Sequence, residues 1–170
     1  MRLFDKLLYK CTIFDNKYAK HGTQRNLAKY QLLKIFAYDI RTDKDGPLFA
    51  PAEFNGNRKK INVERVHMLV FDIDEGAPYM PLYNKDFDFD WITYTTFSHT
   101  TEKPKWRLVI PLKRAIPGSE WRYAYKAMVD LWQKLYPDHP NALDASCKDQ
   151  SRMYYLPSCH PQTQTHKRMD

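Results

Sequence analysis

Glycine is scarce: the 170 residues hold five, each isolated and each at a position compatible with a turn. Neither G-x-x-x-x-G-K nor G-x-G-x-x-G occurs, which excludes a P-loop ATPase and a dinucleotide fingerprint. If the protein works with a helicase, that motor lies elsewhere in the polypeptide or in another chain. Cysteine is scarce too. Cys11, Cys147 and Cys159 are too few and too scattered for a disulfide framework, so free thiols and a cytoplasmic location are expected. No apolar run approaches the ~18 residues of a membrane span. The opening Met1-Arg2-Leu3-Phe4-Asp5-Lys6 is interrupted by charge and does not read as a signal peptide, so no membrane partner is expected.

What the chain does have is positive charge. Twenty-seven Lys and Arg against 20 Asp and Glu give +7, which favours an anionic partner, nucleic acid foremost. Aromatics reach 15%, 12 of them Tyr, enough to stack on bases as well as to fill a core. Apolar residues at 43% and charged residues at 28% exclude wholesale disorder. The length suits one domain, residues 1–170, whose core buries roughly two thirds of the unfolded surface without a staple.

Hydrophobic patterning predicts a strand over Leu7–Phe14 and a helix over Gln24–Tyr38 capped by Thr23. Residues 41–60 read as loop, with Asp45-Gly46 and Asn55-Gly56 as turn signals. Strands are expected at Val66–Asp72, Trp91–Phe97 and Arg107–Leu112, with a loop over 76–90. A helix over Glu120–Tyr136 presents Trp121, Met128, Leu131 and Trp132 on one face and is stopped by Pro137 and Pro140. A last strand is expected at Ser151–Leu156, followed by a polar tail. The implied fold is α/β, a mixed or antiparallel sheet with helices on one face and an α/β unit at the N-terminus.

The sharpest local feature is Leu69-Val70-Phe71-Asp72-Ile73-Asp74-Glu75-Gly76, an apolar strand ending in Asp-x-Asp. Strand alternation points Asp72 and Asp74 to one face. Two carboxylates there repel unless a cation lies between them, and such oxygen ligands select Mg²⁺ or Mn²⁺. Removing one of the two charges is therefore expected to leave the fold at least as stable. A third acid follows the second long helix: Asp144, after Asn141-Ala142-Leu143, with Asp149 as an alternative. Three carboxylates on a sheet can hold the two metals used for in-line displacement at phosphorus. Asp86, Asp88 and Asp90 alternate with phenylalanines and read as a solvated strand edge.

Between these acids lies a polar loop with Ser98, His99, Lys103 and Lys105, leading into a strand headed by Arg107. Hydroxyl, imidazole and guanidinium groups of this kind can hold a triphosphate. Arg107 heads an apolar strand, so its charge needs a partner, either a carboxylate or a phosphate. Arg152 invites the same argument on the last strand. His139, Cys147, Cys159 and His160 follow no zinc-ligand spacing and read as loop residues.

Asp72-x-Asp74 after its strand, Ser98-His99 with the strand from Arg107, and Leu143-Asp144 followed by Ser151-Arg152-Met153-Tyr154-Tyr155-Leu156 resemble the three motifs of the archaeo-eukaryotic primase superfamily. The nearest flavour is the primase-polymerase domain of plasmid and phage replication proteins. The resemblance covers about residues 60–160. It implies an RRM-like sheet core, two divalent metals on Asp72, Asp74 and Asp144, and a histidine on the phosphates of the incoming nucleotide. The chain departs from the pattern at the second motif. Ser98 and His99 are adjacent and the strand begins only at Arg107, so either His99 reaches back over the loop or Arg107 replaces it.

The function implied is template-directed nucleotidyl transfer, a DNA primase or polymerase acting on a single-stranded DNA template. Mg²⁺ or Mn²⁺ would serve as cofactor, a dNTP or NTP as substrate, and Ser98, His99, Lys105, Arg107 and Arg152 would neutralise phosphates. Three rivals stand beside it. One is a phosphatase resembling the haloacid-dehalogenase family, whose Asp-x-Asp-Gly-Thr strand Asp72 to Gly76 only approximates. Another is a metal-dependent nuclease using the same acids. The third is an RRM-like nucleic-acid-binding module in which the acids are incidental.

Overall fold

A computed structural model describes residues 8–37, 39–74, 77–78 and 90–161, together with the backbone of 168–169. In chain order the elements are β1 (Tyr9–Phe14), β2 (Thr23–Leu27), α1 (Lys29–Ile35), β3 (Asp39–Ile40), β4 (Leu48–Ala50) and β5 (Ala52–Phe54). They continue with β6 (Val63–Ile73), β7 (Ile92–Thr95), β8 (Trp106–Pro117), α2 (Trp121–Leu135), β9 (Tyr154–Tyr155), β10 (Ser158–Cys159) and β11 (Arg168–Met169). The fold is mixed α/β, as the sequence implies. Its centre is a five-stranded antiparallel sheet ordered β11-β7-β8-β6-β5, beside a four-stranded antiparallel sheet ordered β2-β1-β4-β9. β3 and β10 form a short parallel pair.

The two large strands are as apolar as a sheet buried on both faces requires. β6 runs 11 residues and β8 runs 12, and they pair from Ile73↔Trp106 to Arg65↔Pro117 across an irregularity near His67. α2 packs on the face that carries Phe71 and Trp106, where the Trp132 ring lies 6.1 Å from each. The other face, carrying Tyr94 and Arg107, is covered by the Phe36 ring at the end of α1 and by β9. Helices on both faces replace the single helical face expected. The reason is that the hairpin β1–β2 and α1 fold over the side that α2 leaves open.

Three further expectations fail for identifiable reasons. Residues 24–27 form an edge strand, Cys11 facing Arg25 in register with β1, and the helix begins only at Lys29. Cross-strand pairing has overridden local helix propensity there. The loop expected over 41–60 contains β4 and β5, separated by Pro51. The proline conceals one extended segment that changes sheets: β4 pairs with β1 and β9, β5 with β6. The expected strand Ser151–Leu156 shrinks to β9, because Asp149 Oδ1 accepts from the Ser151 N–H and hydroxyl and holds a turn.

Where the two sheets meet, Glu53 on β5 is buried between Lys10 Nζ at 3.1 Å and His67 Nε2 at 2.5 Å. Burial lowers the His67 pKa and outweighs the pull of Glu53. Burial raises the Glu53 pKa, but His67 and Lys10 outweigh that and the net shift is downward. Both groups are depressed in the folded state, so the stability they supply is present above their unfolded values and is lost as pH falls. His67 acts first, below its unfolded value of about 6.5. The melting temperature should therefore fall between pH 7.5 and 5.5, and His67→Gln should flatten that slope. A variant slope equal to that of the wild type would remove His67 from the account.

Candidate active site

The site is built on one row across three strands. Asp72 of β6 faces Arg107 of β8, and Arg107 faces Tyr94 of β7. Residues directly opposite in a sheet share a face, so the three side chains meet. Asp72 is 1% exposed and Arg107 8%. Arg107 Nε donates to Asp72 Oδ1 at 2.8 Å, and Nη1 donates to the Tyr155 carbonyl at 3.1 Å. The guanidinium lies over the Tyr94 and Tyr154 rings, 5.7 and 5.6 Å from their centroids. Burial pulls the Arg107 pKa down, but Asp72 and Tyr94 outweigh it and the net shift is upward, so the group stays charged. Of the two partners the sequence left open for Arg107, the structure shows the carboxylate.

Backbone bonding brings the third acid in. Leu143 bridges Ile73, and the Asp144 N–H donates to the Asp72 carbonyl at 2.8 Å. Asp144 Oδ1 also accepts from the Ser146 N–H, capping the 3₁₀ turn Ala145–Lys148. Arg152 Nη2 then spans the two acids, 2.8 Å from Asp72 Oδ2 and 2.8 Å from Asp144 Oδ2. Burial raises the Asp144 pKa, but the Ser146 hydrogen bonds and the Arg152 charge outweigh it and the net shift is downward. Asp74, just past the end of β6, has a 40% exposed side chain with Lys105 Nζ at 3.3 Å. Asp72, Asp74 and Asp144 each place an oxygen within 4.8 Å of the others. Asp149, the alternative third acid, is turned to Ser151 instead. Asp74 and Asp144 open onto a cleft of about 770 Å³ that also includes Asp138, His139 and Asn141.

Ser98 and His99 sit in the loop between β7 and β8. Across that loop, His99 Nδ1 accepts the Lys105 N–H at 3.1 Å. Burial lowers the His99 pKa, and an Nδ1 that accepts leaves the proton of the neutral ring on Nε2. Lys105 is thus the joint of the loop, its backbone on His99 and its ammonium on Asp74. Ser98 is exposed.

Among the described residues no other group of three or more His, Cys, Asp or Glu side chains converges, so His139, Cys147, Cys159 and His160 form no metal cluster. Asp90 is ion-paired to Lys29 at 2.8 Å, while Asp86 and Asp88 lie outside the described residues. Sequence reasoning missed Tyr94 and the Tyr155 carbonyl. Tyr94 was accessible through strand alternation in Ile92-Thr93-Tyr94-Thr95. A backbone carbonyl leaves no signal of its own.

The expectation that the two acids of β6 repel is overturned at Asp72, where two guanidinium groups already supply the missing positive charge. Asp72→Asn leaves the buried Arg107 uncompensated and should destabilise the protein by about 3–5 kcal/mol. Asp74→Asn removes a half-exposed partner and should cost no more than about 1 kcal/mol. Urea unfolding of the two variants checks this. Equal stabilities for Asp72→Asn and the wild type would contradict the buried pair.

The family model described as the VapE N-terminal domain matches residues 15–167. No curated protein and no solved structure shows significant similarity to the chain. The matched span contains β2 to β10 and every acid and cation of the row just described, and on that match the chain belongs to the VapE N-terminal domain family.

Proposed function

We propose that the chain is a primase-polymerase domain, performing template-directed nucleotidyl transfer with a dNTP or NTP on single-stranded DNA. Membership of the VapE N-terminal domain family supports a coarser statement, a phage- or plasmid-replication-associated protein. The observation that carries the finer reading is the convergence of Asp72, Asp74 and Asp144 within 4.8 Å beside Lys105, Arg107 and Arg152.

The donor set fits Mg²⁺ or Mn²⁺, since all three ligands are hard carboxylate oxygens and two of them face an open cleft. Two such ions on Asp72, Asp74 and Asp144 would lower the pKa of the attacking hydroxyl and offset charge on departing pyrophosphate. The chain's own groups divide the remaining work. Arg107 keeps Asp72 oriented from within the sheet. Arg152 and Lys105, both part-exposed, exchange their carboxylate contacts for triphosphate oxygens when a nucleotide enters. Ser98 and His99, in the loop that Lys105 closes, would add a hydroxyl and an imidazole to the phosphate contacts.

The buried Asp72 speaks against the phosphatase alternative, which needs a free and accessible nucleophile. Both oxygens of Asp72 are held by arginines. A nuclease remains a rival by chemistry alone, and extension separates it from a polymerase. Purified protein given labelled nucleotides, Mg²⁺ or Mn²⁺, and primed or unprimed single-stranded DNA should lengthen strands. Asp74→Asn and Asp144→Asn should reduce incorporation to background while remaining folded. Arg152→Ala and Lys105→Ala should each raise the apparent nucleotide KM, by about 1.5–3 kcal/mol for a lost charged contact. Strand shortening in place of extension, or full incorporation by both acid variants, would overturn the assignment.

A further inference from the structure

The 3₁₀ turn that begins with the cap Asp144 ends at Lys148, and there it forms the wall of a second cleft. This cleft measures about 360 Å³ and is lined by Lys60, Ser119, Arg122, Tyr125, Lys148 and Gln150, among others. Its three cations come from three separate segments: the turn before β6, the first turn of α2, and the turn after Asp144. All three are exposed, and among the described residues none is ion-paired with a carboxylate. Arg122 donates only to the Tyr123 hydroxyl and stacks on that ring. Asp149, the carboxylate next to Lys148, is turned to Ser151.

A second observation specifies more than an anion. Gln150 is 9% exposed, and its Nε2 donates to the Lys60 carbonyl at 2.8 Å. Its Oε1 has no hydrogen-bond partner. A buried acceptor left unpaired is costly and calls for a donor. Phosphate diester oxygens only accept, so they suit the cations but not Gln150. A ligand that satisfies the whole cleft carries phosphates together with a hydroxyl or amino donor, which is the composition of a nucleic acid strand. Tyr125 also lines the cleft, and burial raises the pKa of its phenol. Positive charge continues outward along Arg58-Lys59-Lys60 and through Lys126, one turn beyond Arg122.

We propose that this cleft seats the sugar–phosphate backbone of a single-stranded nucleic acid, with phosphates on Lys60, Arg122 and Lys148 and a base or sugar donor on Gln150. That the strand then leads to the acids rests on the nucleotidyl-transfer reading; that it binds here does not.

The test is fluorescence anisotropy of a labelled single-stranded oligonucleotide, titrated over a range of salt concentrations without nucleotide or divalent metal. Lys60→Ala, Arg122→Ala and Lys148→Ala should each weaken binding by about threefold to tenfold. Each should also lower the slope of log K against log salt by about 0.7. Lys134→Ala removes an exposed charge from the same helix about 18 Å further on, and should leave the slope unchanged. Gln150→Met removes the acceptor and the donor to the Lys60 carbonyl but no charge, so it should weaken binding at an unchanged slope. Adding a free nucleoside triphosphate at equal phosphate concentration should compete poorly. An unchanged affinity in the triple Lys60, Arg122 and Lys148 variant would overturn the proposal. So would equal loss in Lys134→Ala, or complete displacement by the free nucleotide. A protein that binds through this cleft yet incorporates nothing would keep the cleft and lose only the catalytic reading.

Discussion

The buried pair between Asp72 and Arg107 is the constraint around which the site is arranged. Two opposite charges at directly facing positions on β6 and β8 fix the register of the longest strand pair. A slip of one residue would turn one of the two charges into the α2 face, where Phe71, Trp106 and Trp132 pack, and leave the other without its partner. Removing two charges from water is costly, and a pair of this kind holds only when its other bonding groups are satisfied. The fold meets that condition with the Tyr155 carbonyl and the Tyr94 and Tyr154 rings. The layer formed by β9 is therefore part of the electrostatics of the site as well as its cover.

The six charged groups at the centre balance: Asp72, Asp74 and Asp144 against Lys105, Arg107 and Arg152. They are not equivalent. Arg107 is deep and bound on every side, whereas Arg152 and Lys105 stand at the rim with partners they can exchange. The assembly is thus neutral, with a buried base and two part-exposed cations at its rim.

Legibility in the sequence followed the range of the interactions concerned. The strand into Asp72 and Asp74 was plain, because an apolar run and residue alternation are local. α2 was plain for the same reason. Asp144 and Asp149 looked alike on paper, and what separates them is a backbone bond from Asp144 to Asp72, which only the fold creates. Arg107 heads an apolar strand and so needs a partner for its charge, but which partner depends on the register of β6 against β8. The strands around Pro51 were hidden because a proline marks a break in one sheet, and here the chain enters a second. Residues 24–27 continue the helical pattern of the segment that follows, and nothing nearby announces that β1 pairs with them.

The site is assembled from parts remote along the chain. Arg152 reaches Asp72 across 80 residues, and Tyr155 closes over Arg107 while pairing with Leu48 on β4. Local helices and hairpins can form long before such contacts are possible, since each distant closure costs entropy before any bonding repays it. Until residues 152–155 dock, the row is covered only from the α1 side, where Phe36 meets Tyr94, and it lacks its second guanidinium, the Tyr155 carbonyl and the Tyr154 ring. A ribosome that has released β8 has therefore made a sheet but not yet a site. The charged row is completed late and all at once, with the docking of one short segment.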